Sequence, residues 1–480
     1  LLQHPAIDRR LSSVGLRSYF FSDYAHPPWT LVAGARKLEP GHELIWRDGV
    51  LSSPRPFWQW SPPEPGRRID ANEETLACEF WKRLGRAVER QLVADVPIGV
   101  FLSGGLDSSS IALLAQQAYR GRLKTFSIGF ENPSFDESPA ARRVARHIGS
   151  EHIEEILSQD MVLEVADSAL DALDEPLADH SFLPTYLLSR LAAQHLKVVL
   201  GGDGGDELWA GYPTYLAHRY ARIYRRFPRL LRSELIPALV SRLPVGDHYQ
   251  GLEWRLKRFT LRWDDDLHRR HLRWMASTDL ADLDLAVPDG GGEPATLRRV
   301  LSDPGDPLNA ILALDFTTYL PGSVLTKVDR ASMAHGLEVR PPMLDNAMID
   351  WAFTISSHRK LRGKVGKAFF KRAAEAHLPR DIVNRRKQGF SIPLAAWLRG
   401  PLRSSVEEAL DSPVLWEGRA LNREVFLTWN GRHQARLTDF SKPLWALVVL
   451  DRWTRRERID AACRPDPMPR HGSHSVVPPP

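Results

Sequence analysis

Apolar and polar positions along this chain follow two different periods, and the places where one gives way to the other mark its organisation. Residues 1 to 62 hold short apolar runs broken by turn formers. Within KLEPGHELIWRDG, Lys37–Gly49, Pro-Gly and Asp-Gly dipeptides flank the strand-like HELIW, the pattern of a hairpin. SPPEPGRR, Ser61–Arg68, concentrates three prolines, a glycine and charge, which is linker composition and predicts a domain boundary. From Asn72 the period changes. TLACEFWKRLGRAVERQLV places apolar residues at helical spacing, and VPIGVFL follows as a short buried strand. SGGLDSSSIALLAQQ then reads as turn and helix, LKTFSIGF as strand, ESPAARRVARHIG as helix, HIEEIL as strand and Asp160–Leu173 as helix. Strands that are continuously apolar and alternate with helices build a parallel sheet covered on both faces, so the fold class is α/β. KVVLGGDGGDE repeats the strand-then-glycine arrangement. Two glycine-rich loops are thereby placed at the carboxyl ends of two strands, the edge where open parallel sheets bind ligands. Beyond Tyr212 the pattern is mostly helical, with a surface loop at Pro288–Pro294, and the proline-rich residues 464 to 480 read as a disordered tail.

Composition narrows the class. The 480 residues are 43% hydrophobic and 26% charged, as in a soluble globular protein of two or three domains. No apolar run of bilayer-spanning length and no export signal is present, so the expectation is a cytoplasmic location without a membrane anchor. The two cysteines, Cys78 and Cys463, stand far apart without a CxxC pair, which encodes neither a disulfide framework nor a zinc site. Cys78, within the helical TLACEFW, is expected in the core. The net charge of +5 and the arginines of Arg219–Arg232, interleaved with Tyr220, Tyr224 and Phe227, raise the question of a polyanionic partner. A solvated helix face explains them equally well, and no nucleic-acid partner is predicted.

The chemistry concentrates in SGGLDSS, Ser103–Ser109, between a strand and a helix. Small residues such as Gly104 and Gly105 let backbone wrap round phosphate oxygens, the helix amino end supplies free amides, and the Ser103 and Ser108 hydroxyls add hydrogen bonds. The Lys-Ser/Thr ending of the common P-loop is absent. Asp107 stands in the loop instead, a hard oxygen ligand suited to magnesium.

These residues resemble the pyrophosphate loop of the ATP-pyrophosphatase superfamily, and VPIGVFLSGGLDSS with TFSIGF is similar to the synthetase domain of the asparagine synthetase family. DEPLAD (Asp174–Asp179), GGDGGDELWAGY (Gly201–Tyr212), LTKVDRASMAHGLEVRPPMLD (Leu325–Asp345) and NRRKQGFSIP (Asn384–Pro393) follow in that family's order. The resemblance implies ATP cleavage between the α- and β-phosphates, an acyl-adenylate, release of pyrophosphate and capture of the adenylate by ammonia. It implies that Leu102 and Ile128 line an adenine pocket, that Gly201 and Gly202 approach the nucleotide through their backbone, and that Asp107 and Asp206 hold Mg2+. Capping of the helix that begins near Glu207 is a second role open to Asp206.

Three catalytic assignments come with the resemblance. Lys387 matches the family's catalytic lysine, with an ordinary surface lysine as the alternative. Glu338 matches an acid that orients reactive groups, with a salt bridge to Arg340 or Arg330 as the alternative. Asp203 matches a position usually held by glutamate, one methylene longer, which bears on the geometry of adenylation and on the substrate. Pro341 and Met343 also depart from the family pattern.

The substrates implied are ATP, aspartate or another carboxylate such as a sugar acid or a peptide carboxylate, and ammonia drawn from glutamine; a homodimer is left open. Residues 1 to 62 resemble only the closing part of an N-terminal nucleophile glutaminase domain of amidotransferase type 2, and residues 66 to 460 the synthetase domain. The chain starts with leucine and has no cysteine before Cys78. The expectation is therefore ammonia-dependent amidation without glutaminase activity, since release of ammonia from glutamine needs a thiolate.

Overall fold

The computed structural model describes residues 1–64, 67–243, 251–288, 293–298, 305–385, 389–418 and 420–464. The proline-rich tail beyond residue 464 and part of the Pro288–Pro294 segment lie outside the described residues, as do the side chains of 461–464, Cys463 among them.

The chain enters through β1 (Arg10–Ser12) and α1 (Ser13–Ser22), whose first turn is capped by the Ser12 hydroxyl accepting from the Gly15 amide at 2.9 Å. α1 is buried on nearly all sides, Arg17 and Ser18 included, and Leu16, Tyr19, Phe20 and Phe21 are fully buried. The predicted hairpin follows. β2 (His42–Glu43) pairs antiparallel with β5 (Arg55–Pro56), and between them β3 (Trp46–Arg47) pairs with β4 (Val50–Leu51). Asp48 and Gly49, with φ of 53° and 80°, make the left-handed two-residue turn that suits the twist of a hairpin.

α2 (Glu73–Gln91) starts at Asn72, whose side chain accepts from the Thr75 amide at 2.8 Å, and presents Leu76, Phe80, Leu84 and Val88 to the core. Cys78 falls between those positions and is exposed. This corrects the expectation of a core cysteine: the helical phase that buries Leu76 and Phe80 turns residue 78 outward.

The central sheet has five parallel strands. β6 (Ile98–Phe101), β7 (Lys124–Phe130) and β8 (Glu151–Leu157) run outward on one side, and β9 (Val198–Leu200) and β10 (Glu338–Arg340) on the other, giving the order β10-β9-β6-β7-β8. Four of these were predicted. β10 was not, because three residues reading Glu-Val-Arg carry no apolar run, and an edge strand pairs on one side only. The helices α3 (Leu106–Ala118), α4 (Ser138–Ile148), α5 (Gln159–Asp171) and α6 (Phe182–Ala193) link the first four strands. α7 (Gly205–Trp209) and α8 (Pro213–Tyr224) open the helical remainder.

One contiguous apolar core runs from Leu11 to Ile459 and joins α1 to the sheet layers. The Tyr19 hydroxyl donates to the Ala446 carbonyl at 2.8 Å, and β1 pairs in parallel with β11 (Asp460–Arg464). The helical run Pro307–Met333 is long and apolar enough to span a bilayer by length and composition, which the sequence reading did not single out. It is 61% buried within this fold, the setting of a core helix.

Candidate active site

The strand order reverses between β6 and β9, since the chain leaves β6 toward β7 on one side and returns to β9 on the other. Loops leaving neighbouring strands at such a reversal diverge and open a crevice at the carboxyl edge of the sheet. The loops that diverge here are SGGLDSS after β6 and GGDGGDE after β9. A cavity of about 1200 Å³ opens over them, lined by Leu102, Ser103, Gly105, Asp107, Ser108, Ile128, Gly201, Gly202, Asp203 and Asp206 among others.

The β6 loop is held by its own hydroxyls. Ser108 Oγ accepts from the Ser103 amide at 3.2 Å and lies 3.0 Å from Ser103 Oγ, which accepts from the Gly105 amide at 3.2 Å. Gly104 has φ of +70°, and a Cβ there would run into the Ala140 backbone at 2.5 Å, so the turn is closed to other residues. α3 begins at Gly105 with no side-chain cap, which leaves its first amides directed at the cavity end of the helix. Leu102, just past the end of β6, and Ile128 on the neighbouring β7 are buried at 1% and 4% exposure and supply an apolar wall beside the loop.

Asp107 and Asp206 come from different loops and meet at one cation. Lys367 Nζ contacts the Asp107 carboxylate and lies 2.5 Å from Asp206 Oδ1, and all three side chains are nearly buried, at 8% exposure for the lysine and 17% and 9% for the acids. The loops are packed to permit this. A Cβ on Gly205 would collide with the Asp107 carboxylate, and one on Gly211 with Asp206 and the Lys367 stem. Lys367 itself has φ of 53°, a left-handed conformation that aims it across the cavity from just before the helix Ala368–Ala374. Asp206 lies in the first turn of α7 and does not cap it, the cap being Gly204.

Three further groups line the cavity that the sequence reading did not select. Lys371 follows Lys367 by one turn, and burial, then the charge of Lys367, lowers its pKa. Arg385 Nη1 donates to the Ser103 carbonyl at 3.4 Å and pairs with Glu137 at 3.1 Å, so it buttresses the β6 loop. Glu207 is 1% exposed and accepts from the Tyr212 hydroxyl at 2.7 Å. Burial first, and then the neighbouring Asp206, raise its pKa to about 8, so the side chain carries a proton at neutral pH. The glycines of GKVGK, ending at Lys367, were the one available signal for the lysine.

Glu338 is not brought to this place. It begins β10, at the opposite end of the strand from the crevice, is exposed, and forms an ion pair with Arg340 at 2.7 Å. That is the salt-bridge alternative, and a direct catalytic role for Glu338 is withdrawn. Lys387 lies outside the described residues; Arg385 and Gly389, which flank it in sequence, line the cavity. Pro341 and Met343 do not line it, and Met343 is fully buried in the core.

Two carboxylates converging on one cation provide hard oxygen donors of the kind Mg2+ takes, and no cluster of three or more His, Cys, Asp or Glu is found among the described residues.

The family model for asparagine synthase matches residues 79–455. Asparagine synthetase [glutamine-hydrolyzing] 1 of Bacillus subtilis is 28% identical over 461 residues, 93% of this chain and 69% of the relative. Asparagine synthetase [glutamine-hydrolyzing] 3 of the same organism is 28% identical over 408 residues, 81% of this chain and 60% of the relative. Amidase chyE of Penicillium rubens is 24% identical over 459 residues, 86% of this chain and 66% of the relative. With its family model spanning the sheet, the two divergent loops and the helical remainder, the chain belongs to the asparagine synthase family, ligases that amidate carboxylates at the expense of ATP.

Proposed function

We propose that this chain converts aspartate to asparagine by adenylating the side-chain carboxylate with ATP, releasing pyrophosphate and admitting ammonia to the adenylate. The observation that carries the reading is the meeting of Asp107, Asp206 and Lys367 at the reversal point of the sheet, beside a glycine-serine loop and a helix amino end. Leu102 and Ile128 take the adenine ring between apolar side chains. The β6 loop holds the phosphates through amides and hydroxyls. Asp107 and Asp206 would hold Mg2+, which would supply positive charge to the departing pyrophosphate. Lys367, in contact with both acids, and Lys371 one turn on add to that charge, and a fixed cation in a water-poor site acts more strongly than in solution. Protonated Glu207 keeps a third negative charge away from the pair Asp107 and Asp206. Asp203 stands beside Gly201 and faces the carboxylate to be activated.

A second reading keeps the adenylation and changes the acceptor to a sugar acid or a peptide carboxylate. The shorter Asp203 favours it, as does similarity to a relative named an amidase. Pyrophosphate release measured with ATP, Mg2+ and ammonium, with and without L-aspartate, and mass analysis of the product separate the two. Aspartate-dependent release with asparagine as product is expected, with Asp107→Asn lowering the rate at least about 100-fold. Release that ignores aspartate but responds to another carboxylate would move the assignment to the second reading. Glutamine in place of ammonium reads the amide donor in the same assay.

A further inference from the structure

The segment from Arg219 to Leu239 has no part in the site described above. Between Pro213 and Leu243 the chain carries seven arginines against a single acid, Glu234. The inner face of α8 is fixed by Tyr215, His218, Ala221 and Tyr224, all buried. Its outer face continues past Pro228 into a second helical stretch that runs to Ser241. There Tyr220, Ile223, Phe227, Leu230, Leu235 and Leu239 are all exposed, Leu239 to 66%. From Arg225 to Leu235 every side chain except Arg232 is exposed, so this corner projects from the body of the protein. It is anchored at its base, where the Tyr224 hydroxyl donates to the Arg232 carbonyl at 2.8 Å and Arg232 pairs with Asp265.

The corner combines clustered positive charge with exposed apolar side chains. Some exposed arginines elsewhere pair with carboxylates, as Arg90 does with Asp345 and Arg403 with Glu407. Arg219, Arg222, Arg225, Arg226 and Arg229 form no ion pair with a described carboxylate. A solvated helix face accounts for the arginines alone. It does not account for six large apolar side chains standing among them in water.

We propose that this corner lies on an anionic phospholipid surface, its apolar side chains entering the headgroup boundary and its five arginines meeting lipid phosphates. The alternation of unpaired cations and exposed apolar side chains on a projecting helical corner is what an interfacial amphipathic element needs. A folded acidic partner would be met by a groove, and a nucleic acid would use the arginines without the leucines. The arrangement rests on the surface of a bilayer and does not span it.

Flotation of the full chain with vesicles tests this. Wild type is expected to float with phosphatidylcholine–phosphatidylglycerol vesicles, not with pure phosphatidylcholine, and to be released by salt. Two triple variants separate the contributions: Arg222→Glu, Arg226→Glu and Arg229→Glu remove charge, while Ile223→Ser, Phe227→Ser and Leu230→Ser remove apolar surface. Each is expected to weaken partitioning by roughly a hundredfold. Both should keep the circular dichroism spectrum and the pyrophosphate release of wild type, since none of the six side chains is buried. Wild type that stays with the soluble fraction overturns the proposal. So does a serine variant that floats like wild type, which would make the corner a plain polyanion site, or a wild type that binds double-stranded DNA and no vesicle.

Discussion

The two ends of the central sheet carry the same kind of contact with opposite consequences. At the carboxyl edge Lys367 joins Asp107 and Asp206 with its side chain 8% exposed; at the amino edge Arg340 joins Glu338, whose side chain is 55% exposed. Water screens the second pair, and exposed pairs of this kind contribute roughly 0 to 1 kcal/mol. Protein surrounds the first, and there each charge depends on the others being present. All three acids belong to stretches that resemble the family. What separates them is the edge of the sheet on which the fold sets them, so an alignment of motifs identifies candidates and the sheet decides among them.

The sharpest way to break the comparison is Lys367→Met. Removing the lysine that contacts both nearly buried carboxylates is expected to cost about 3 to 5 kcal/mol in urea unfolding without metal. Pyrophosphate release is expected to fall about 100- to 1000-fold. Mg2+ should raise the melting temperature of the variant more than that of wild type, because the ion then takes over the lost charge. An unchanged unfolding midpoint would mean that the carboxylates do not depend on the lysine.

Burial without the crevice gives an intermediate case. His218 is buried beside His271, with Nε2 3.1 Å from its Nδ1, and His271 in turn contacts Asp315 at 2.9 Å. Burial first, and then His271, hold the His218 pKa well below its ordinary value, so the folded protein keeps it neutral while the unfolded chain takes a proton below about pH 6.5. Stability from this group is present above that pH and is lost as pH falls below it, by at most about 1.4 kcal/mol per pH unit. His218→Gln should flatten this part of the slope between pH 7 and 5.5 in urea titrations while sparing the chemistry. A variant as pH-sensitive as wild type would place the titration elsewhere. At the small end, Glu338→Gln should change stability by less than about 0.5 kcal/mol and pyrophosphate release by less than about twofold. A large loss of activity there would return Glu338 to the catalytic set.

Local sequence carried the parts of the fold whose signal is local. Strand, glycine loop and helix succeed one another within Ile98–Ala118, so the β6 loop and its placement at a strand end were legible, and the same holds for the loop after β9. Their adjacency needed only the rule that parallel strands bring their carboxyl ends to one edge. Lys367 escaped because Asp107 precedes it by 260 positions, and the helix it introduces reads as any other amphipathic helix. Arg385, 282 positions beyond Ser103, escaped for the same reason. Cys78 was misplaced by counting apolar character without helical phase. Glu338 was misplaced because likeness of a motif does not say at which end of a three-residue strand a side chain stands.

The seam between the two ends of the chain bears on how the molecule comes to be assembled. Tyr19 is bonded to Ala446, 427 positions away, and β1 rests on β11 beyond it. A loop of that length closes slowly, so this contact follows the sheet in any order of folding. On a ribosome α1 emerges well before the helix Ser441–Glu457 and must wait, with its aromatic side chains uncovered, until that helix has been synthesised. A chain shortened before that helix would retain its nucleotide loops and leave Tyr19, Phe20 and Phe21 as an invitation to chaperones.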